Sequence, residues 1–108
     1  MPYRDWQFRI DDIIDSIRKI ERYTAGMNYE SWCKDEKTVD AVIRNIEIIG
    51  EAASHIPEEI HEQFEDIPWR MMKGIRNFLA HEYFGVDLKI IWNAVVNDLP
   101  VLKQKLLK

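Results

Sequence analysis

The chain holds a single cysteine, Cys33, among 108 residues. It therefore has no intrachain disulfide and no cysteine-based metal cluster. Glycine and proline are sparse, four of each, so neither a repetitive nor a low-complexity chain is indicated. No apolar run approaches the ~20 residues needed to cross a bilayer. The opening Met-Pro-Tyr-Arg-Asp-Trp offers no apolar stretch for a signal peptide. The expectation is a cytoplasmic protein with no membrane contact. Positive charge is also in deficit: 15 Lys and Arg against 19 Asp and Glu give a net charge of −4. Such a chain does not hold nucleic acid by bulk charge, and any such role needs a local basic site.

What is present is apolar and aromatic surface in quantity. Hydrophobic residues make up 46% of the chain, including four Trp, four Tyr and four Phe. The length suits one domain, taken as residues 1–108. A domain of this size leaves roughly a third of its unfolded-chain surface exposed. The aromatic surplus points to burial of some of it against another chain.

The periodicity is helical throughout. Tyr3, Trp6, Ile10, Ile13, Ile17 and Ile20 alternate in steps of three and four, which places them on one stripe. Gly26 is a stop signal. Residues 27–34 read as a connector with one short turn that seats Trp32. Asp35 is a candidate N-cap for a second helix carrying Val39, Val42, Ile46, Ile49, Ala53 and Ile56, which Pro57 ends. Gly50, Ala52 and Ala53 form a smooth patch for close helix approach. Residues 58–66 read as a short amphipathic piece with a solvated acidic face. Pro68 suits the first turn of a further helix running to about His81. Asp87 can cap the last helix, whose stripe is Leu88, Trp92, Val95, Leu99, Leu102 and Leu106, kinked at Pro100. The fold class is all-α: an antiparallel bundle of four long helices plus short helical pieces.

One segment carries chemistry: Lys73-Gly74-Ile75-Arg76-Asn77-Phe78-Leu79-Ala80-His81-Glu82-Tyr83. With Arg76 at zero on a regular helix, Lys73 falls near 60°, Asn77 near 100° and His81 near 140°. Met72, Leu79 and Ile75 fall opposite, between about −40° and −100°. The helix has an apolar face and a polar arc bearing a cation, an amide and an imidazole. Asn77, four residues before His81, can orient its ring. Arg and His together suit phosphodiester cleavage in RNA: the ribose 2′-OH needs a proton acceptor, the 5′-oxygen a proton donor, and the phosphorane a neighbouring positive charge. Imidazole and guanidinium supply these without a metal. His55, His61 and His81 share no ligand spacing, so no metal set is read. The plainer alternative pairs Arg76 with an acid such as Glu51 and makes His81 a helix C-terminal cation. His55 and His61 read as surface histidines, and Cys33 as a small buried hydrophobe.

At this segment the chain resembles the HEPN superfamily, and within it the HepT-like toxins, whose signature is Arg, four residues, His, one residue, Tyr. Here it stands as Arg76, His81 and Tyr83. The surroundings match as well: Ala41 to Asn45, Ile48 to Ala53, Ile67-Pro68-Trp69, Gly74, Phe84-Gly85-Val86-Asp87 and Trp92. The resemblance implies an all-helical homodimer whose two motif helices meet at a shared cleft. It implies a metal-independent, cofactor-free endo- or exoribonuclease that acts as the toxin of a type VII toxin–antitoxin system. The implied partners are an RNA substrate and a minimal nucleotidyltransferase antitoxin, in a dimer or a larger complex. The antitoxin neutralises by transferring adenylate to the motif tyrosine. Carried over residue by residue, Arg76 and His81 are catalytic, Asn77 positions, and Tyr83 is the modification site. Lys73 and Arg70 are candidates for guiding RNA, and Glu51 for supporting Arg76. The alternative is a non-catalytic HEPN-type partner that binds a nucleotidyltransferase and its nucleotide or substrate.

Overall fold

A computed structural model describes residues 2–72, 74 and 87–107, with side chains from residue 6 onward. Every regular element among these residues is helical. The first helix, α1 (Pro2–Thr24), buries Ile13, Ile17 and Ile20, each at most 1% exposed. Trp6 and Ile10 of the same stripe are half-buried against that core, while the Tyr3 side chain lies outside the described residues. Asp11, Asp12 and Asp15 face solvent. The helix stops at Gly26, whose φ of 77° is left-handed. A Cβ there would meet nothing within 4 Å. Backbone conformation, and not space, is therefore what favours glycine.

The connector folds as α2 (Tyr29–Lys34), one short helix closed by a capping box. Ser31 N–H donates to Asn28 Oδ1 at 2.9 Å, and Asn28 N–H donates to Ser31 Oγ at 3.0 Å. These bonds satisfy N–H groups that a helix start leaves without partners. Trp32 on α2 is fully buried, as the short turn required. Asp35 caps α3 (Glu36–Ser54), its carboxylate accepting from Thr38 N–H at 3.2 Å.

The central helix is α3. All six residues of the expected stripe are buried, and so are Ile43, Asn45, Gly50 and Ala52 beside it. Asn45 tolerates burial because its Nδ2 donates to the Ala41 carbonyl at 2.8 Å. The broad buried arc follows from position: α1 and α2 both pack on α3. Asp40, Arg44, Glu51 and Ser54 are left on its exposed side.

Beyond Pro57, α4 (Glu58–Gln63) sinks Ile60 and exposes Glu58, Glu59 and Glu62; Glu65 and Asp66 just after it are exposed too. The acidic run is a solvated face, as its sequence indicates. Residues 69–72 open the next helix, with Met72 N–H donating to the Pro68 carbonyl at 3.3 Å. Most of that fourth expected helix lies outside the described residues.

The last expected helix is not one regular rod. It consists of α5 (Leu88–Asn93), a π-helical turn (Ala94–Asp98) and α6 (Leu99–Leu106). Leu99 N–H reaches back to the Ala94 carbonyl, five residues away. The wide turn sits directly before Pro100, which lacks an N–H for the Val96 carbonyl and whose ring would press on it. One extra residue per turn also rotates the buried face. Ile91 and Ala94 are buried while Leu88, Trp92 and Val95 of the expected stripe are half-buried; Leu99 and Leu102 remain in the core. Helix α6 is tied to α1 by Lys103 Nζ, 2.9 Å from both Glu21 carboxylate oxygens.

Ile17→Ala is expected to cost about 3 kcal/mol of unfolding free energy, through lost burial and a residual cavity. Asp35→Ala is expected to cost about 1 kcal/mol by uncapping α3. Urea unfolding of the two variants against wild type checks both values.

Candidate functional site

Of the residues assigned to the site from sequence, Lys73, Arg76, Asn77, His81 and Tyr83 lie outside the described residues. The structure describes how the chain is held on either side of them. On the N-terminal side, Ile67, Trp69 and Met72 are buried in the core. Trp69 Nε1–H donates to the Phe64 carbonyl at 3.1 Å. Lys105 Nζ donates to the Asp66 carbonyl at 2.7 Å, joining the C-terminal helix to the same bend. Phe64 in turn packs on Trp6 of α1, ring centroids 6.3 Å apart. A short bend with exposed carboxylates is thereby fixed from several sides before the motif begins.

His61 belongs to this anchor, which corrects its reading as an ordinary surface residue. Its ring stacks on Trp69 at 4.4 Å with planes 13° apart. Its Nε2–H donates to the Ala53 carbonyl at 3.3 Å, and Nδ1 lies 3.8 Å from the Glu58 carboxylate. The seven residues between His61 and Trp69 cross an irregular bend and Pro68, so no helical period linked them beforehand. His55 is exposed, as expected; its Nδ1 bonds the Glu51 carbonyl at 2.8 Å near the end of α3.

On the C-terminal side, the Asp87 carboxylate accepts from Lys89 N–H at 2.9 Å and caps α5, as its position predicts. Trp92 then packs on the buried Trp32, centroids 5.1 Å apart. Tyr29 stands 6.4 Å from Trp32 as well. Cys33 is half-buried, not a core residue. Its side chain beside the Tyr29 hydroxyl is the main cause that raises the Tyr29 phenol above its ordinary value of 10.0; desolvation and the electrostatic influence of Cys33 and Asp87 add to it.

Arg70 is exposed and lines a groove of about 400 Å³ with Glu58, His61, Glu62, Glu65 and Trp69. Three carboxylates share that groove with it, and their negative charge opposes the approach of a phosphate. Glu51 is exposed on the outer side of α3. A second groove, of about 270 Å³, runs between Met71 and Gly74 on one side and Ile90, Ile91, Asn93, Ala94 and Asp98 on the other. The described residues thus define an all-helical protein in which indoles anchor the chain before and after the segment that carries the basic and histidine residues in sequence.

Comparison with known proteins narrows this class. The family model "Ribonuclease HepT-like" matches residues 13–108, the whole motif segment included. The chain belongs to the ribonuclease HepT-like family. It is 44% identical over 96 residues to "Probable ribonuclease HepT" of Thermococcus cleftensis, covering 89% of this chain and 87% of that one. It is 38% identical over 100 residues to "Putative RNase MJ0127" of Methanocaldococcus jannaschii, covering 93% and 83%. No solved structure matches. Among the described residues no helix is long and apolar enough to cross a membrane.

Asp87→Ala is expected to destabilise the protein by about 1 kcal/mol through the lost cap, with Asp87→Ser milder, read by thermal or urea unfolding. Because the Tyr29 phenol is raised in the fold, the stability it contributes is intact below the ordinary tyrosine range. That contribution disappears as pH rises through the raised value. Tyr29→Phe is therefore expected to lose less stability than wild type between neutral and strongly alkaline pH, measured by unfolding at each pH.

Proposed function

We propose that this chain is a metal-independent ribonuclease and the toxin of a HEPN–nucleotidyltransferase pair. The observation that carries the reading is an unbroken Arg76, His81 and Tyr83 motif inside a match to a ribonuclease family that spans residues 13–108. The catalytic unit is the single domain 1–108, acting in the cytoplasm as a homodimer. The two-fold axis brings two copies of Arg76 and His81 to one cleft, which resolves their divergence of about 140° on a single regular helix.

In that cleft one imidazole accepts the proton of the ribose 2′-OH as its oxygen attacks phosphorus. An imidazolium protonates the 5′-oxygen as the P–O5′ bond breaks. Arg76 holds the non-bridging oxygens while negative charge builds on the phosphorane. Asn77 orients the His81 ring, and Lys73 adds positive charge at the rim. Arg70 contributes less, given the carboxylates in its groove. Glu51 stands on the outer side of α3 and supports Arg76 only if the motif segment approaches that side.

Control comes from a minimal nucleotidyltransferase that places adenylate on the Tyr83 hydroxyl. Tyr83 follows Arg76 by seven residues and returns to within about 20° of it on a helix. The added phosphodiester would compete for the cation that RNA phosphate needs.

Purified wild-type protein is expected to cleave RNA in the presence of a chelator, and His81→Ala and Arg76→Ala to lose about 100-fold or more of that rate. Cleavage that survives in both variants overturns the reading and favours a non-catalytic partner of the nucleotidyltransferase. Tyr83→Phe is expected to keep cleavage but escape neutralisation on co-expression, with no adenylate in its intact mass.

A further inference from the structure

The imidazole of His61 is the one described histidine that links two separate parts of the fold. It is about one-fifth exposed at its side chain and is enclosed on several sides. One face stacks on the Trp69 indole at 4.4 Å. Its Nε2–H donates to the Ala53 carbonyl, in the last turn of α3. The carbonyl it uses is one of those that a helix C-terminus leaves partly unsatisfied. Trp69 is itself pinned by its bond to the Phe64 carbonyl and by burial. His61 therefore bridges the end of the central helix to the first residue of the helix that opens at 69. Arg76 follows Trp69 by seven residues in the sequence.

We propose that His61 is a positioning residue for the RNA-cleaving motif: its stack on Trp69 and its bond to Ala53 fix, against the end of α3, the point from which the chain runs on to the motif. The proposal rests on the ribonuclease reading above. His61 does not touch the substrate. It acts through Trp69, fixing the direction in which Lys73, Arg76 and Asn77 are delivered. Trp69 stands seven residues before Arg76 in the sequence, so a loss of restraint at Trp69 is passed on along the chain toward the motif. Reaction rates of this kind fall steeply with sub-ångström misplacement. Of the two contacts the stack is the stronger restraint. Its geometry is close and nearly parallel, whereas 3.3 Å is long for an N–H···O bond.

The test uses the full chain, metal-free, on a defined RNA, with kcat and KM measured separately for wild type, His61→Ala, His61→Phe and His61→Gln. Circular dichroism and thermal unfolding fix the folded fraction of each. His61→Ala is expected to lower kcat about tenfold with KM within about twofold of wild type, at full folded fraction. His61→Phe, which keeps a stacked ring, is expected to restore most of that loss, and His61→Gln, which keeps only a donor, little of it. A His61→Ala variant with wild-type kcat overturns the proposal, as does a loss that merely tracks the unfolded fraction. Equal failure of His61→Phe and His61→Ala also overturns it. No cleavage by wild type overturns the ribonuclease reading and this role together, whereas an active wild type with an unaffected His61→Ala removes only the role of His61.

Discussion

Burial of α3 over a broad arc is the constraint on which the rest of the molecule depends. A helix surrounded in this way cannot turn about its axis without carrying a charge into the core or an isoleucine into water. Its rotation is therefore fixed by Val42, Ile46 and Ile49 against the Ile13, Ile17 and Ile20 stripe of α1, all in one continuous core. Each large side chain of that set contributes roughly 1.5–3 kcal/mol by leaving water. With the rotation of α3 fixed, the direction of its C-terminal carbonyls is fixed as well. Those carbonyls are the platform on which the next part of the chain is built, through His55 and His61.

The aromatic residues divide the remaining work. Trp69 and Phe64 hold the bend before the motif, and Trp32 with Trp92 holds the helix after it. The described chain on each side of the motif is thus held by aromatic contacts, with Trp69 and Trp32 buried. This explains part of the aromatic surplus. Several of these rings are spent inside the chain on anchoring, not on contact with a second chain. The exposed apolar residues are mainly Phe8, Ile90, Val96, Val101 and Leu107, four of them on or beside the last helices.

Much of this was legible in the sequence because helices advertise themselves by period. The stripes on α1 and α3, the caps at Asp35 and Asp87, the seat for Trp32 and the stop at Pro57 all depend on contacts within a few residues, and all are present. What the sequence concealed depends on contacts between distant residues or on a change of period. The π-turn before Pro100 breaks the 3.6-residue rule, so Ile91 and Ala94 replaced part of the expected stripe. The His61–Trp69 stack joins residues across a bend that has no period at all. Of the site residues, the motif was legible as a spacing of side-chain types. Arg70 was placed there by nearness along the chain, and Glu51 as an acidic partner for Arg76. Each stands in surroundings that nearness does not reveal: Arg70 among carboxylates, Glu51 on the outer side of α3.

The placement of charge follows from the same geometry. An acidic protein that acts on RNA must keep its carboxylates from repelling the substrate at the reacting phosphate. The run Glu58, Glu59, Glu62, Glu65 and Asp66 stands exposed on α4 and the bend after it, directly before the motif in sequence. At an ionic strength of about 0.15 M, charges more than about 8 Å apart in water are largely screened from one another. Exposed carboxylates act on a bound phosphate only within that range, while they discourage nonspecific RNA from settling on their own face of the surface. The net charge of −4 is thus compatible with a nuclease in which attraction is confined to the cleft and repulsion to the remaining surface. The bend that carries the last of these carboxylates is itself held by the Trp69 and Lys105 bonds to the Phe64 and Asp66 carbonyls, so the acidic face has a fixed position on the fold.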